Sequence, residues 1–258
     1  LGGREVKYFD PLKLSREVEK VVLRRRYERR YYRFRGGRWY GGIATADTVG
    51  CNLRCRFCWS WKPRDHMVKY GRYYGAKDVF ERLTAIASKR GYRALRISGG
   101  EPTIGKDHLI SLLGFVATTR YVFILETNGI LIGQDRSYAK ELARFNNLHV
   151  RVSIKGTSPE EFAKLTGAEP KAFEYQLKAL ANLLDEGVPT HPAVMLSFSE
   201  PAGVKELISK LREIDERLVK ELEPEYVFLY PHVVKLMNKY GLKPRVAYDP
   251  RGIPKDLV

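Results

Sequence analysis

Long apolar runs are missing from this sequence: nowhere do eighteen apolar residues follow one another, which excludes a membrane-spanning helix. Amide side chains are scarce, six Asn and two Gln, while Lys, Arg, Glu and Tyr are abundant, the balance expected of a thermophile protein. Acidic residues fall short of basic ones, 30 against 46, leaving a formal net charge of +16. Cysteine is rarer still. The three thiols, Cys51, Cys55 and Cys58, all fall within TVGCNLRCRFCWSWKPRD at residues 48–65. So small, odd and crowded a set reads as metal ligands or catalytic groups rather than disulfides. A basic stretch followed by an apolar segment is also lacking at the start, which argues against secretion and makes the cytoplasm the expected location. The opening Leu1, Gly2 and Gly3 suggest that a native start has been trimmed.

What is present is enough to build one core: 258 residues, 44% of them hydrophobic. Half of the excess charge sits in residues 1–40, with thirteen Lys or Arg against five Asp or Glu. This sets residues 1–40 apart as a basic extension ahead of a domain at 41–258. Within it Leu14, Val18, Val21 and Val22 form one helical stripe fit to dock on that domain. The following RRRYERRYYRFRGGRW, residues 24–39, interleaves eight Arg with Tyr27, Tyr31, Tyr32, Phe34 and Trp39. Arginine on phosphates and rings on bases suit RNA, and the charge also suits an acidic protein. The same residues fit a solvated face of the helix as it leads into the first strand.

From residue 43 on, short apolar runs alternate with amphipathic ones. Strands are expected at 43–49, 93–98, 121–126, 148–154, 193–198 and 226–229. Helices are expected at 76–89, 106–118, 137–145, 158–165, 171–186 and 200–222, with Asp135 and Ser158 as N-caps and Gly91 and Gly187 as stops. Such alternation predicts an α/β fold with a parallel sheet. Periodicity leaves a barrel and a doubly wound sheet both open.

The cysteines fall in the loop after the first strand, at the carboxyl end of the sheet where sites are built. Three thiolates leave one ligand missing, whether the metal is a tetrahedral zinc, for which His66 is the nearby fourth candidate, or a cubane of four irons with one iron open. Trp59 and Trp61 would shield such a site, and Arg54, Arg56, Lys62 and Arg64 would offset its negative charge. A second element, ISGGEPTI at residues 97–104, follows the second strand. Its Gly99-Gly100-Glu101-Pro102 turn lets backbone carbonyls approach a ligand, and Glu101 adds an acceptor for an ammonium group.

Together CxxxCxxC and GGEP resemble the radical S-adenosylmethionine (SAM) superfamily, which implies a 4Fe-4S cluster on Cys51, Cys55 and Cys58 and SAM on the Gly99–Pro102 turn. Phe57 matches the family aromatic at adenine. ETNG, with Glu126, Thr127 and Asn128, resembles a segment of the pyruvate formate-lyase activating enzymes that lies by the SAM carboxylate. VSIKG is similar to their D-x-K motif, carrying over Lys155 while Ser153 stands for the acid. FLYPHVVKLMNKYGL resembles their closing segment and makes His232 a further SAM contact. The likeness spans residues 43–243 and implies a partial (β/α)6 TIM-like barrel of parallel strands with a basic helical N-terminal extension.

It further implies reductive cleavage of SAM by a low-potential donor, ferredoxin or flavodoxin, and hydrogen abstraction by a 5′-deoxyadenosyl radical. Met195 and Phe198 are expected in the apolar lining. With every cysteine used once, no auxiliary cluster fits in these residues. Protein glycyl-radical activation or a small metabolite is the expected target. The alternatives are an RNA- or nucleoside-modifying enzyme that uses the Arg-rich arm, and an RNA-binding protein with a structural metal site.

Overall fold

The computed structural model describes residues 7–254, so the opening residues 1–3 lie outside it. Asp10 starts helix α1 (Pro11–Val22): its carboxylate accepts the Leu12 N–H at 2.8 Å, and Pro11 fixes the first turn. Buried Val18 and Val22 pack with Val49 and Ile104, flanked by Leu14 and Val21, so the stripe docks as its spacing predicts.

The Arg-rich segment is not a continuation of that helix. After a short strand β1 (Leu23–Arg24) the chain turns through Arg25 and Arg26 and returns as β2 (Glu28–Gly37), antiparallel to β3 (Ile43–Thr48). The sheet buries its aromatic residues on one face, with a register shift between Tyr31 and Arg33 bringing Tyr31 and Phe34 together: Tyr31 stacks on Phe34 at 5.8 Å, and Phe34 meets Tyr74 edge-on at 5.2 Å. Tyr74 belongs to β4 (Arg72–Gly75), which pairs with the first half of β2.

Beyond β3 the sheet is parallel. It adds β5 (Ala94–Ser98), β6 (Val122–Thr127), β7 (Leu148–Ile154), β8 (Thr190–Met195) and β9 (Glu223–Glu225), each paired with the strand before it, with β3 first. Six parallel strands coiled by right-handed crossovers form a partial TIM-like barrel, flanked beyond β3 by the antiparallel β2 and ending at β9 on the other side. The fifth strand begins earlier than its apolar run suggests. The sixth is displaced further, because the apolar Val227–Phe228 (β10) pairs with Ala247–Tyr248 (β11) while the polar Glu-Pro-Glu joins the barrel.

The helices follow in order: α2 (Trp61–Asp65) in the cysteine loop, then α3 (Ala76–Arg90), α4 (Lys106–Ala117), α5 (Ile130–Gln134), α6 (Arg136–Leu142), α7 (Pro159–Thr166), α8 (Phe173–Asp185), α9 (Pro201–Ile214), α10 (Glu216–Lys220) and α11 (Pro231–Lys239). Asp135 and Ser158 cap α6 and α7 as expected, and Gly91 and Gly187 end α3 and α8 at positive φ. The helix expected over 200–222 is two, because Asp215 ends α9 and its side chain caps α10.

Strand alternation then sorts chemistry by face. In β7 Leu148, Val150, Val152 and Ile154 are buried in the core beneath the helices, while Arg151 and Ser153 line the lumen. Among the described residues no helix is long and apolar enough to cross a membrane.

Candidate active site

The loops after β3, β5, β6 and β7 meet over the lumen in one cavity of about 550 Å3. It is lined by Cys51, Cys55, Cys58, Phe57, Gly99, Gly100, Glu101, Glu126, Thr127, Asn128, Ser153, Lys155 and His232. Of the residues singled out from sequence for the cofactors, Pro102 alone does not line it.

The loops are laced together by buried polar groups. Gly100 N–H donates to Thr48 Oγ1 (3.1 Å) and Glu101 N–H to the Gly50 carbonyl (2.9 Å), which fixes the GGEP turn against the cysteine loop. A Cβ on Gly100 would lie 2.1 Å from that carbonyl oxygen, so the close approach requires glycine. Glu101, 2% exposed, does more than wait for an ammonium group. Its Oε1 accepts from Thr103 N (3.1 Å), Thr103 Oγ1 (2.6 Å) and Thr127 Oγ1 (2.7 Å), and its Oε2 accepts from Asn128 N (2.8 Å). The glutamate is therefore the tie between GGEP and ETNG. Asn128 Nδ2 continues to Asn52 Oδ1 (2.7 Å) in the cysteine loop, and buried Gln176 of α8 bridges the Asn128 and Ser153 carbonyls at 2.8 and 2.9 Å.

Cys51 Sγ accepts from Leu53 N–H at 3.4 Å and Asn128 Nδ2 at 3.8 Å. Burial, reinforced by the charge of Glu101, pushes the Cys51 thiol up to about 12, and burial pushes Cys55 up to about 11. Thiols so placed ionise when a metal centre takes the charge, as a ligand set requires. Among the described residues no three His, Cys, Asp or Glu side chains gather to hold a single metal ion. A tetrahedral zinc needs a fourth protein ligand, whereas a four-iron cluster on three thiolates keeps one iron open. His66 packs edge-on to Trp61 at 6.2 Å and does not line the cavity, so the fourth-ligand alternative is lost.

Of the four cations expected there, Arg54 and Arg64 donate to the Cys51 and Cys55 carbonyls at 2.6 and 2.7 Å. Arg56 instead binds the Lys164 carbonyl, and Lys62 lies over Trp61. Trp59 borders the cavity and Trp61 does not. Met195 lines the cavity, and Phe198 packs on Phe57 at 5.4 Å. His232 donates through Nε2 to the Trp59 carbonyl at 2.8 Å, joining α11 to the cysteine loop.

The acid missing from the VSIKG segment comes from another strand. Glu225 Oε2 accepts from Lys155 Nζ at 3.2 Å and from Ser153 Oγ at 2.8 Å, and Lys155 also donates to Ser153 Oγ. Burial alone would lower the Lys155 ammonium; Glu225 and Cys55 together more than offset it and leave the pKa raised. Arg151 spans Glu223 (2.6 and 2.8 Å) and Glu225 (2.8 Å), and Arg96 binds Glu126 at 2.7 Å. Sequence reasoning missed this polar lumen. Its signal is charge at alternate positions of otherwise apolar strands: Arg96 in ALRIS, Arg151 in LHVRVSI, and Glu223 and Glu225 in EPE.

Nor do the eight arginines of residues 24–39 form one basic stripe. Arg24 pairs with Glu28 and Arg26 with Asp107, Arg29 is buried, and Arg30 donates to loop carbonyls of Met67, Val68 and Gly71. Arg33 and Arg35 face the lumen.

The chain is similar to known proteins. A probable GTP 3′,8-cyclase of Pyrobaculum aerophilum is 32% identical over 139 residues, covering 54% of this chain and 42% of the relative. A GTP 3′,8-cyclase of Nautilia profundicola is 27% identical over 225 residues, covering 83% and 66%. The chain spans about half the length of the first curated relatives it matches. These names point away from the pyruvate formate-lyase activating branch that the closing motifs resemble. Among solved structures, a mutant spore photoproduct lyase with dinucleoside spore photoproduct superposes with a TM-score of 0.60 at 17% identity, over 97% of this chain and 75% of that one, a likeness of fold. The radical SAM superfamily profile matches residues 46–211, from the end of β3 through both motifs to α9. Proteins of that family bind a 4Fe-4S cluster and SAM, and this chain belongs to the radical SAM superfamily.

Proposed function

We propose that this protein cleaves SAM reductively and directs the resulting radical at a nucleotide held in the same cavity. The observation that carries the reading is the joining of Cys51 to the GGEP turn: Glu101 N–H on the Gly50 carbonyl and Asn128 on both Cys51 and Asn52 put thiols and turn in one wall. In this reading Cys51, Cys55 and Cys58 hold the cluster. When bound, the cluster supplies the electron that splits SAM into methionine and a 5′-deoxyadenosyl radical. Gly99, Gly100 and the free lone pair of Glu101 Oε2 receive the SAM ammonium. Lys155, braced by Glu225, meets its carboxylate or ribose, with Thr127, Asn128 and Ser153 alongside, and Phe57 meets its adenine. Apolar contacts of Met195 and Phe57 keep water from the reacting atoms. A low-potential ferredoxin or flavodoxin is the electron source.

A nucleotide is preferred over a glycyl-radical protein on two grounds. The relatives are named for a reaction of GTP. The cavity beyond the thiols is lined by Trp39, Trp59, Phe228 and Tyr230 together with arginines, which suits a flat anionic molecule. Scattered arginines in residues 24–39 also weaken the reading of an RNA-binding protein with a structural metal site. The test is anaerobic reconstitution, reduction with dithionite and assay of 5′-deoxyadenosine. Release that depends on Cys55 supports the reading; an inert site in a fully iron-loaded protein contradicts it.

A further inference from the structure

The cavity has two unlike walls. One carries the thiols, GGEP, ETNG and Lys155, all inside the residues matched to the family. The other is β2, which precedes that match, and it presents Arg33 and Arg35. A β-bulge aims them there. The register of β2 on β3 slips between Tyr31, opposite Thr48, and Arg33, opposite Asp47. Such a slip exchanges the two faces of a strand, so Phe34 joins Tyr31 in the core while Arg33 and Arg35 turn to the lumen.

Charge at this wall is unbalanced. Asp47, wholly buried, accepts from Arg33 Nε (2.6 Å) and from Arg35 Nε and Nη2 (2.8 and 3.1 Å), so one carboxylate meets two guanidinium groups. The other lumen cations have carboxylates of their own: Arg96 has Glu126, and Arg151 and Lys155 share Glu223 and Glu225. Among the described residues the two Nη groups of Arg33 have no hydrogen-bond partner, and its side chain is 45% exposed. Both guanidinium groups lie over Trp59, at 5.5 and 5.9 Å, and Trp39 meets Phe228 at 6.0 Å across the open side of the barrel.

We propose that Arg33 and Arg35 form an anion subsite that takes the phosphate of a phosphorylated nucleoside, with its base received by Trp39, Trp59 and Phe228. Asp47 holds the two guanidinium groups side by side, leaving N–H donors for phosphate oxygens, and the aromatic faces accept any base. The inference rests on the reading that SAM is cleaved in this cavity.

The test is equilibrium binding of guanosine, GMP, GTP and the adenosine series to cluster-loaded protein, read by tryptophan fluorescence and calorimetry. The 5′-phosphates are expected to bind about tenfold or more tighter than the nucleosides. Arg33→Gln, which leaves Asp47 paired with Arg35, removes that preference, and Arg33→Lys retains most of it. Equal binding of nucleoside and nucleotide, no binding of either, or a preference that survives Arg33→Gln overturns the subsite. Release of 5′-deoxyadenosine by the wild-type protein is measured in parallel. Release without nucleotide preference sinks the subsite alone, and absence of release sinks the reading beneath it.

Discussion

At the scale of single residues, the structure changes what Glu101 is for. Four donors converge on its buried carboxylate, so Glu101→Ala leaves Thr103, Thr127 and Asn128 groups unpaired. A loss of about 3 kcal/mol or more in folding stability is expected alongside weaker SAM binding, because each orphaned buried donor costs about 1–3 kcal/mol. Denaturant melts measure it; a variant as stable as wild type would show that the carboxylate does not tie the loops. Glu225 gives a second case. It lies 70 residues from Lys155 in sequence, so no local pattern announces it, whereas the cysteines, GGEP and ETNG are legible because each is a short contiguous motif. Glu225→Gln is expected to weaken SAM binding by about tenfold, and adding Ser153→Asp, which restores an acid beside Lys155, to recover part of it. No recovery in the double variant would mean that Glu225 serves the lumen rather than Lys155.

At the scale of elements, apolar periodicity located the parallel strands β3, β5, β6 and β7 within a residue or two, because their core-facing positions are apolar, Ala in β3 and Val, Ile, Leu or Phe in the other three. It failed at the two edges. β2 reads as charged because Arg33 and Arg35 face the lumen while Arg29 is buried and Arg30 is spent on loop carbonyls, and β9 reads as a loop because its two glutamates serve Arg151. A polar lumen erases the very signal by which strands are recognised. The loops carry their own constraint in Gly100. Its Cβ has no room beside the Gly50 carbonyl, so Gly100→Ala is expected to push the GGEP turn off the cysteine loop and cut SAM affinity by about tenfold or more while leaving cluster content unchanged. Iron analysis and SAM binding on the same sample check it; unaltered affinity would contradict the close approach.

At the scale of the whole molecule, stability should depend on pH through histidines that fold shut uncharged. His108 of α4 donates from Nδ1 to the Tyr27 carbonyl (2.7 Å) and pairs through Nε2 with Tyr31 Oη (2.8 Å), tying α4 to β2. Burial lowers its pKa from 6.5 to about 4. The folded state thus binds fewer protons than the unfolded chain between those values. Stability is full above pH 6.5 and falls by about 3 kcal/mol as the pH drops toward 4. His149, lowered by burial and by His191, adds to the same slope. Glu223, held near 2 against the raising effect of burial by Arg151 and His191, loses its contribution only further down. Urea melts across this window should show the fall, and His108→Gln should flatten it; a flat wild-type profile would contradict a neutral buried His108.

Reductive cleavage of SAM in this cavity requires that the three sulfurs share a polynuclear centre that leaves a coordination position for SAM. Iron and sulfide analysis of the anaerobically reconstituted protein, combined with electron paramagnetic resonance of the reduced form, measures this directly. The expected result is roughly four irons per chain and a signal that changes when SAM is added. One zinc per chain, or a reduced-cluster signal that SAM leaves untouched, would contradict it.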